Sequence, residues 1–385
     1  MKKTTESVYI SLGSNKGNRA YSLQKALFEI TDTLGTITAI SAIYQTEAWG
    51  FEGEAFLNLC IGLDTVLEPN QLLHGLLKIE QELGRNRNTG AGYTSRVIDL
   101  DILYYGREII SQDNLVIPHP QIANRAFVLK PLADIAPQFY HPILLKDTRN
   151  LLLACRDQGH IQKLNLKLQP TRADFFAALG FLTIEGNIGA GKTTLATLIA
   201  ESMNAKLILE RFADNPFLPK FYEDQTRYAF PLEMSFLADR YQQYIEDTTQ
   251  LDLFKKFMIS DYDIFKSLIF AKITLQEDEF NLYRRLFGLM YSEVRKPKLY
   301  VFLYQRTERL LEQIALRGRT YEQSIPAAYL ENIHRGYFDF MKNSPDLPTV
   351  IIDLEGRDFV ANTKDYIWVL DRMCEYVLSD YSLKV

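Results

Sequence analysis

Apolar and polar positions change period several times along the chain. Val8-Tyr9-Ile10-Ser11-Leu12 reads as a strand running into the turn Gly13-Ser14-Asn15-Lys16-Gly17-Asn18. Tyr21, Leu23, Ala26, Leu27 and Ile30 then recur at mixed spacings of three and four, which predicts a helix. Gly35 to Glu47 reads as one β-branched strand and Phe56 to Leu67 as another. Pro69 to Leu83 predicts a helix ending at Gly84, and Val97 to Tyr105 a further strand. Bunched strands with interspersed helices predict an α+β sandwich rather than a long parallel sheet.

Beyond Pro142 comes a helix-like run, Leu151 to Arg156, then a polar stretch from Asp157 to Pro170 and a segment without clear pattern, Thr171 to Gly180. At Phe181 an apolar strand leads through a glycine-rich turn into a helix, so a second domain opens there, with the boundary between about 160 and 180. Helices are expected over Leu232–Thr248, Gln276–Tyr291, Thr307–Leu316, Ala327–Lys342 and Thr363–Tyr376. Strands at Lys206–Leu209, Lys256–Ser260, Leu299–Tyr304 and Val350–Leu354 alternate with them, the order of an α/β fold.

The length of 385 residues fits two domains. A composition 47% hydrophobic and 24% charged excludes wholesale disorder. Basic and acidic residues balance at 17 each up to Pro170 and stand at 26 against 31 beyond it, so neither half is a polyanion-binding surface and no nucleic-acid partner is expected. No run approaches the length of a membrane span, and Met1-Lys2-Lys3-Thr4 leads into no signal-peptide core. Cys60, Cys155 and Cys374 are odd in number and far apart, which argues against a disulfide framework or zinc cluster. A cytoplasmic enzyme, with no membrane partner, is the expectation.

Gly186-Asn187-Ile188-Gly189-Ala190-Gly191-Lys192-Thr193 fits the phosphate-loop spacing of Gly, four residues, Gly, Lys, Ser/Thr, with Thr194 continuing into a helix. Backbone N–H groups wrap the phosphates, Lys192 reaches the outer ones, and the Thr193 hydroxyl can ligate Mg²⁺. A strand before and a helix after oppose the plainer reading, a glycine-rich turn without ligand. Asp261, ending a strand, suits metal or water holding. Arg317-Gly318-Arg319 suits a lid that closes on transferring phosphate.

This loop resembles that of the deoxynucleoside kinase family, as do Glu210-Arg211-Phe212-Ala213-Asp214-Asn215-Pro216-Phe217-Leu218 and Pro231-Leu232-Glu233-Met234-Ser235-Phe236-Leu237-Ala238-Asp239-Arg240. The resemblance, which extends over about 180 to 380, implies that Glu210 accepts the proton of the nucleoside 5′-hydroxyl. It implies that Tyr222 and Glu322 hold the 3′-hydroxyl, that Arg240 belongs to the nucleoside site, and that Arg357-Asp358-Phe359 flanks the adenine of ATP. Pyrimidine-preferring members carry Gln where this chain has Glu233. An ionised carboxylate only accepts hydrogen bonds and suits the N1–H and amino edge of guanine; protonated, it suits adenine. A purine deoxynucleoside is favoured, with adenine and guanine both open. Asp261-Tyr262-Asp263 departs from the Asp-Arg-Ser of many members, and Arg240 has no evident carboxylate partner in the sequence.

In the first domain, Val97-Ile98-Asp99-Leu100-Asp101-Ile102-Leu103 alternates with period two, which puts both aspartates on one face, about 7 Å apart. Such a pair can hold one or two Mg²⁺ ions against a polyphosphate; the plainer reading is a solvated strand face. Arg85, Arg87 and Arg96 just before the pair favour triphosphate chemistry. With Gly13-Ser14-Asn15 and Val116-Ile117-Pro118-His119-Pro120, the stretch resembles the 6-hydroxymethyl-7,8-dihydropterin pyrophosphokinase family over about residues 7 to 160. That resemblance implies Asp99 and Asp101 as magnesium ligands and Arg85 and Arg96 as phosphate contacts. It implies Asn58 as the pterin-reading amide, Phe127 as the ring-stacking aromatic, and Glu80 and His119 on the nucleotide side. Trp49 either lines the pterin pocket or packs structurally. Gly92-Tyr93-Thr94-Ser95-Arg96 departs from the Arg-Trp-Gly-Pro-Arg of many members.

His74, His141 and His160 have no metal-ligand partner at the usual spacing and read as structural or solvated. The expected whole is two domains: an N-terminal α+β domain (ferredoxin-like sandwich) over 5–165, and a C-terminal α/β phosphate-loop kinase with a parallel sheet and many helices over 178–385. The resemblances imply two ATP-dependent, Mg²⁺-using activities, one on 6-hydroxymethyl-7,8-dihydropterin and one on a deoxynucleoside, with a homodimer through kinase-domain helices. The rival reading keeps only the C-terminal kinase active and makes the N-terminal half a binding or dimerisation module.

Overall fold

Strand alternation and helix caps account for most of the elements in the computed structural model, which describes residues 4–47, 53–85, 95–211, 215–249, 252–319, 322–323 and 325–383. The side chains of 222 and 380–383 are outside that description. The chain divides into two units, Met1–Phe175 with Cys374–Val385, and Phe176–Met373.

The first unit opens with β1 (Glu6–Ser14), α1 (Arg19–Thr33), β2 (Thr36–Ile40), β3 (Tyr44–Thr46), β4 (Phe56–Thr65), α2 (Pro69–Glu82) and β5 (Asp99–Tyr105). Asn18 caps α1 by accepting from the Tyr21 N–H, and Glu68 with Gln71 forms a capping box ahead of Pro69 in α2. A β6–β7 ribbon (Ile110–Gln112, Leu115–Ile117), α3 (Ala126–Ile135), α4 (Thr148–Ala154) and β8 (Ile161–Lys163) follow. The main sheet is antiparallel, in the order β5-β1-β4-β3-β8, with β2 also pairing β4. Val8, Ile10 and Leu12 of β1 are fully buried on one face. On the other face Cys60, Leu103 and Tyr104 pack with Val128, Leu129 and Leu132 of α3 and Leu151 of α4.

Two expectations need correction here. The single strand expected over 35–47 is two strands, because the chain leaves the ladder after Ile40. There the Ser41 hydroxyl accepts the Cys60 N–H at 3.0 Å and Asp134 takes the Ala42 N–H at 3.1 Å. The polar stretch 157–170 contains β8, an edge strand that gains its pairing from β3 rather than from any alternation of its own.

The unpatterned segment 171–180 is a helix, α5 (Arg172–Leu179), started by Thr171, whose hydroxyl accepts the Asp174 N–H at 3.0 Å. The second unit begins within this helix, at Phe176, and continues with β9 (Phe181–Gly186), α6 (Lys192–Met203), β10 (Lys206–Ile208), α7 (Leu218–Glu223), α8 (Gln225–Thr249) and β11 (Met258–Ser260). Then come α9 (Lys266–Thr274), α10 (Glu277–Tyr291), β12 (Leu299–Tyr304), α11 (Thr307–Arg317), α12 (Ala327–Lys342), β13 (Thr349–Asp353) and α13 (Thr363–Leu383), of which the part from Cys374 onward counts with the first unit. Its five strands are parallel in the order β10-β11-β9-β12-β13. Every residue of β9 is buried, the continuous run that a sheet covered on both faces requires. Helix α8 starts seven residues before the expected Leu232 and carries Pro231 in its interior. Burial of Ala229, Leu232 and Glu233 holds the helix through the hydrogen bond that the proline forfeits. Helix α9 was not among the expected helices. Ser267, Ile269 and Ala271 are buried, so the segment carries no polar face to give it a period.

Candidate active sites

In the first unit, register builds the site. Gly13 of β1 lies opposite Asn58 on β4 and Asp99 on β5; Ser11 lies opposite Cys60 and Asp101. The row faces a cavity of about 390 Å³ also lined by Thr46, Phe56, Arg96, His119, Arg125 and Phe127. A Cβ on Gly13 would stand 3.2 Å from Asn58 Oδ1, so glycine keeps that amide accessible. Asn58 Nδ2 donates to Thr46 Oγ1 at 3.0 Å, which fixes the amide's orientation. Phe127 projects from the first turn of α3.

Cations gather on the aspartates. Asp99 Oδ1 accepts from Arg85 at 2.6 Å, and its Oδ2 pairs with Arg96. Buried Glu80, at the end of α2, accepts the Leu100 N–H at 2.9 Å and also pairs with Arg85. Arg96 is held through its backbone by buried Asn15, whose Oδ1 accepts the Arg96 N–H at 2.6 Å. Burial, then the charge of Asp99, raises Asp101 to about 6 against the pull of Arg125. Burial, then repulsion from Arg125, lowers His119 to about 4, so its ring is neutral at pH 7. Its Nδ1 accepts the Gln121 N–H at 3.2 Å, which leaves Nε2–H as a donor. Guanidinium groups, paired carboxylates and a neutral imidazole suit a polyphosphate; the amide and the aromatic suit a flat heterocycle.

In the second unit the site lies at the C-terminal ends of β9, β10 and β11, where ligands of open α/β sheets bind. Lys192, Thr193, Glu210, Glu233, Arg240 and Asp261 line one cavity of about 150 Å³ with Ile188, Lys266, Arg317, Arg319 and Glu322. Gly186, Gly189 and Gly191 take positive φ in the phosphate loop, and Cβ atoms there would stand 2.7 Å from Leu303 O, 2.9 Å from Leu310 O and 3.0 Å from the Phe359 ring. Asn187 braces the loop by donating to Leu330 O at 2.8 Å, and Lys192 Nζ donates to Asn187 O at 2.9 Å. Burial and the nearby Lys266 charge lower Lys192 to about 8. The Thr193 hydroxyl donates to Asp261 Oδ2, whose Oδ1 accepts the Glu210 N–H at 2.8 Å.

Glu210 is gripped on both oxygens: Arg240 Nε donates to Oε1 at 2.7 Å and Lys266 Nζ to Oε2 at 2.6 Å. Burial alone would raise its pKa, but the Lys266 and Arg240 charges bring it down to about 2. Burial instead raises Glu233 to about 7. Its Oε1 accepts from Thr274 Oγ1 at 3.0 Å, while Oε2 is buried without a protein partner. Glu322 Oε1 pairs with Arg319 at 3.1 Å, and its Oε2 is likewise buried and unpartnered. Two unsatisfied buried carboxylate oxygens in one cavity are what a polar ligand would complete.

The structure thus gathers most of the sequence-derived residues into two cavities. Arg85 and Glu80 stand behind Asp99 rather than among the cavity-lining residues. Ala190 and Thr194 belong to the phosphate loop and the start of α6. Phe359 is buried against Gly191, and the Asp358 carboxylate accepts the Val360 and Ala361 N–H groups in a separate groove with Arg306, Arg309 and Arg357. Trp49 and the loop 86–94 lie outside the described residues, as does the Tyr222 side chain on α7. Among the described residues no group of three or more His, Cys, Asp or Glu is arranged to hold a metal.

Sequence reasoning missed Lys266, Arg125 and the lining residues Asp157 and His160. The lack of an evident carboxylate for Arg240 was the one available signal for the Glu210 cluster. Arg125 sits two residues before Phe127, within reach of the same reasoning.

The family model for deoxynucleoside kinase matches residues 182–378. That for 7,8-dihydro-6-hydroxymethylpterin-pyrophosphokinase matches residues 9–137. Deoxyguanosine kinase of Bacillus subtilis is 38% identical over 191 residues, 48% of this chain and 92% of that protein. A 2-amino-4-hydroxy-6-hydroxymethyldihydropteridine pyrophosphokinase of Porphyromonas gingivalis is 42% identical over 138 residues, 35% of this chain and 93% of that protein. A solved structure of deoxyadenosine kinase from M. mycoides with bound dATP aligns at a TM-score of 0.44 and 23% identity, over 50% of this chain and 98% of that one.

Proposed function

The chain belongs to the 7,8-dihydro-6-hydroxymethylpterin-pyrophosphokinase family through its N-terminal part and to the deoxynucleoside kinase family through its C-terminal part, and from this premise we propose how its residues divide the work. It is a bifunctional transferase. One activity moves a pyrophosphoryl group from ATP to 6-hydroxymethyl-7,8-dihydropterin, releasing AMP; the other phosphorylates the 5′-hydroxyl of a deoxynucleoside. We assign them to residues 5–165 and 178–385, and read the order β5-β1-β4-β2/β3, with α1 and α2 as crossovers, as ferredoxin-like.

In the first site, Asn58 offers a donor and an acceptor to the pterin edge and Phe127 stacks on its ring. The acid cluster Asp99, Asp101 and Glu80 already draws Arg85 and Arg96, a local charge that fits divalent cations. Asp99 and Asp101 would hold Mg²⁺, which when bound neutralises charge on the triphosphate. Arg85 and Arg96 then turn from Asp99 to the phosphates, and the neutral His119 donates from Nε2 on the nucleotide side.

In the second site the phosphate loop and Lys192 hold ATP, and Arg317 and Arg319 close on the transferring group. Thr193, oriented by Asp261, fits as a Mg²⁺ ligand. The O5′ atom of the nucleoside attacks the γ-phosphorus, ADP leaves, and Glu210 takes the hydroxyl proton. Tyr222 and Glu322 hold the sugar 3′-hydroxyl; Asp358 and Phe359 shape the adenine side. The exposed Leu282 and Leu289, seven residues apart on α10, support a homodimer through these helices, which sedimentation of the full chain tests.

We read the nucleoside as a purine. The observation that carries this is the buried, unpartnered Oε2 of Glu233, a carboxylate where a pyrimidine reader would carry an amide. Four-way competition among deoxynucleosides tests it: purines win in the parent, and Glu233→Gln weakens that preference. Unchanged selectivity in the variant would show that Glu233 does not read the base.

A further inference from the structure

Residues 138–181 lie between the two matched family segments, yet Asp157, Gly159, His160 and Ile161 line the first cavity. Their attachments reach both jaws of the pterin end. Asp157 Oδ2 accepts the N–H of Ala126 at 2.9 Å, in the first turn of α3 beside Arg125 and Phe127. Asp157 Oδ1 accepts the Gly159 N–H at 3.0 Å, which folds the segment back on itself. Ile161 then pairs with Thr46, the residue whose hydroxyl orients Asn58. The stacking aromatic and the reading amide are therefore tied to one short stretch of chain.

We propose that residues 157–161 are a functional wall of the pterin site: Asp157 positions Phe127 and Arg125 by capping α3, and His160 contacts the bound pterin. The proposal rests on the pterin reading of this cavity. The carboxylate of Asp157 satisfies an N–H at a helix start, where orphan donors otherwise turn to solvent. Losing it leaves the Ala126 N–H without that partner and loosens the start of α3, which carries the ring that stacks on the heterocycle. His160 is exposed and lines the cavity, where a flat ligand would cover it.

The test uses the full chain, and a kcat for pyrophosphoryl transfer near that of the parent reports that the first unit is folded. Asp157→Ala and His160→Ala are each expected to raise the KM for 6-hydroxymethyl-7,8-dihydropterin about tenfold, with deoxynucleoside phosphorylation unchanged. Asp157→Asn keeps one accepting oxygen for the Ala126 N–H but sets its amide NH₂ against the Gly159 N–H, so it is expected to raise the pterin KM less than Asp157→Ala does. An unchanged pterin KM in both alanine variants would overturn the proposal. So would equal damage from Asp157→Asn and Asp157→Ala, since that would mean the cap is not what matters. An Asp99→Ala/Asp101→Ala protein run in parallel separates the premises: full pyrophosphoryl transfer from it would refute the pterin-site reading itself, whatever the wall variants do.

Discussion

Glu233 and Glu210 are both buried glutamates in one cavity, and their neighbours push them in opposite directions. Glu233 has only Thr274 on one oxygen, so burial prevails and raises it to about 7. A raised pKa means that the ionised form gains on the protonated one as pH climbs through 7. The ionised form accepts from guanine, and the protonated form serves adenine. The ratio of kcat/KM for deoxyguanosine over deoxyadenosine should therefore rise on the order of a hundredfold from pH 6 to pH 8, and stay flat in Glu233→Gln. Steady-state assays at the two pH values check this, and a ratio that falls with pH would refute the base-reading role. Glu210, by contrast, owes its ionised state to two cations. Removing one by Lys266→Met leaves burial less opposed, so the Glu210 pKa climbs and the acid limb of kcat/KM moves to higher pH. Activity is expected to fall about a hundredfold, with Lys266→Arg recovering most of it. A loss of activity with no movement of the acid limb would make Lys266 a packing residue only.

At the scale of elements, what the sequence made legible follows from local period. Helix α12 and strand β12 match their expected bounds because amphipathic spacing and a short apolar run are visible in sequence alone. The aspartate strand was legible too, but its alternation ends at Leu103, which α3 and α4 bury from the opposite face. Elements held by partners were not legible: β8 by its ladder with β3, α9 by burial, and the break between β2 and β3 by Ser41 and Asp134. The site shares this divide. Motif residues could be named from spacing, whereas Lys266 joins Glu210 across 56 positions of sequence and carries no motif. Register also makes a specific demand on β1. Gly13→Ala puts a methyl group 3.2 Å from Asn58 Oδ1, so the amide must move. The expected result is a pterin KM raised several-fold with deoxynucleoside kinase activity intact, and an unaltered KM would show that Asn58 does not need its present position.

For the whole molecule, a net charge of −5 hides two concentrations of cationic side chains. Arg85, Arg96 and Arg125 surround the aspartates of the first unit, and Lys192, Arg240, Lys266, Arg317 and Arg319 line the cavity of the second. Each set is compensated by carboxylates of its own site, so each has its own means of holding a triphosphate. Two complete sets make the activities separable by mutation. Lys192→Ala removes the loop cation proposed to reach the outer phosphates and should lower deoxynucleoside phosphorylation at least about a hundredfold. AMP release with the pterin substrate should stay at the parent rate. Asp99→Ala/Asp101→Ala should give the reverse pattern, and assaying both products on each protein completes the comparison. If Lys192→Ala also abolished AMP release from a folded protein, the pyrophosphokinase would depend on the phosphate loop, and the assignment of a separate ATP site to the first unit would be wrong.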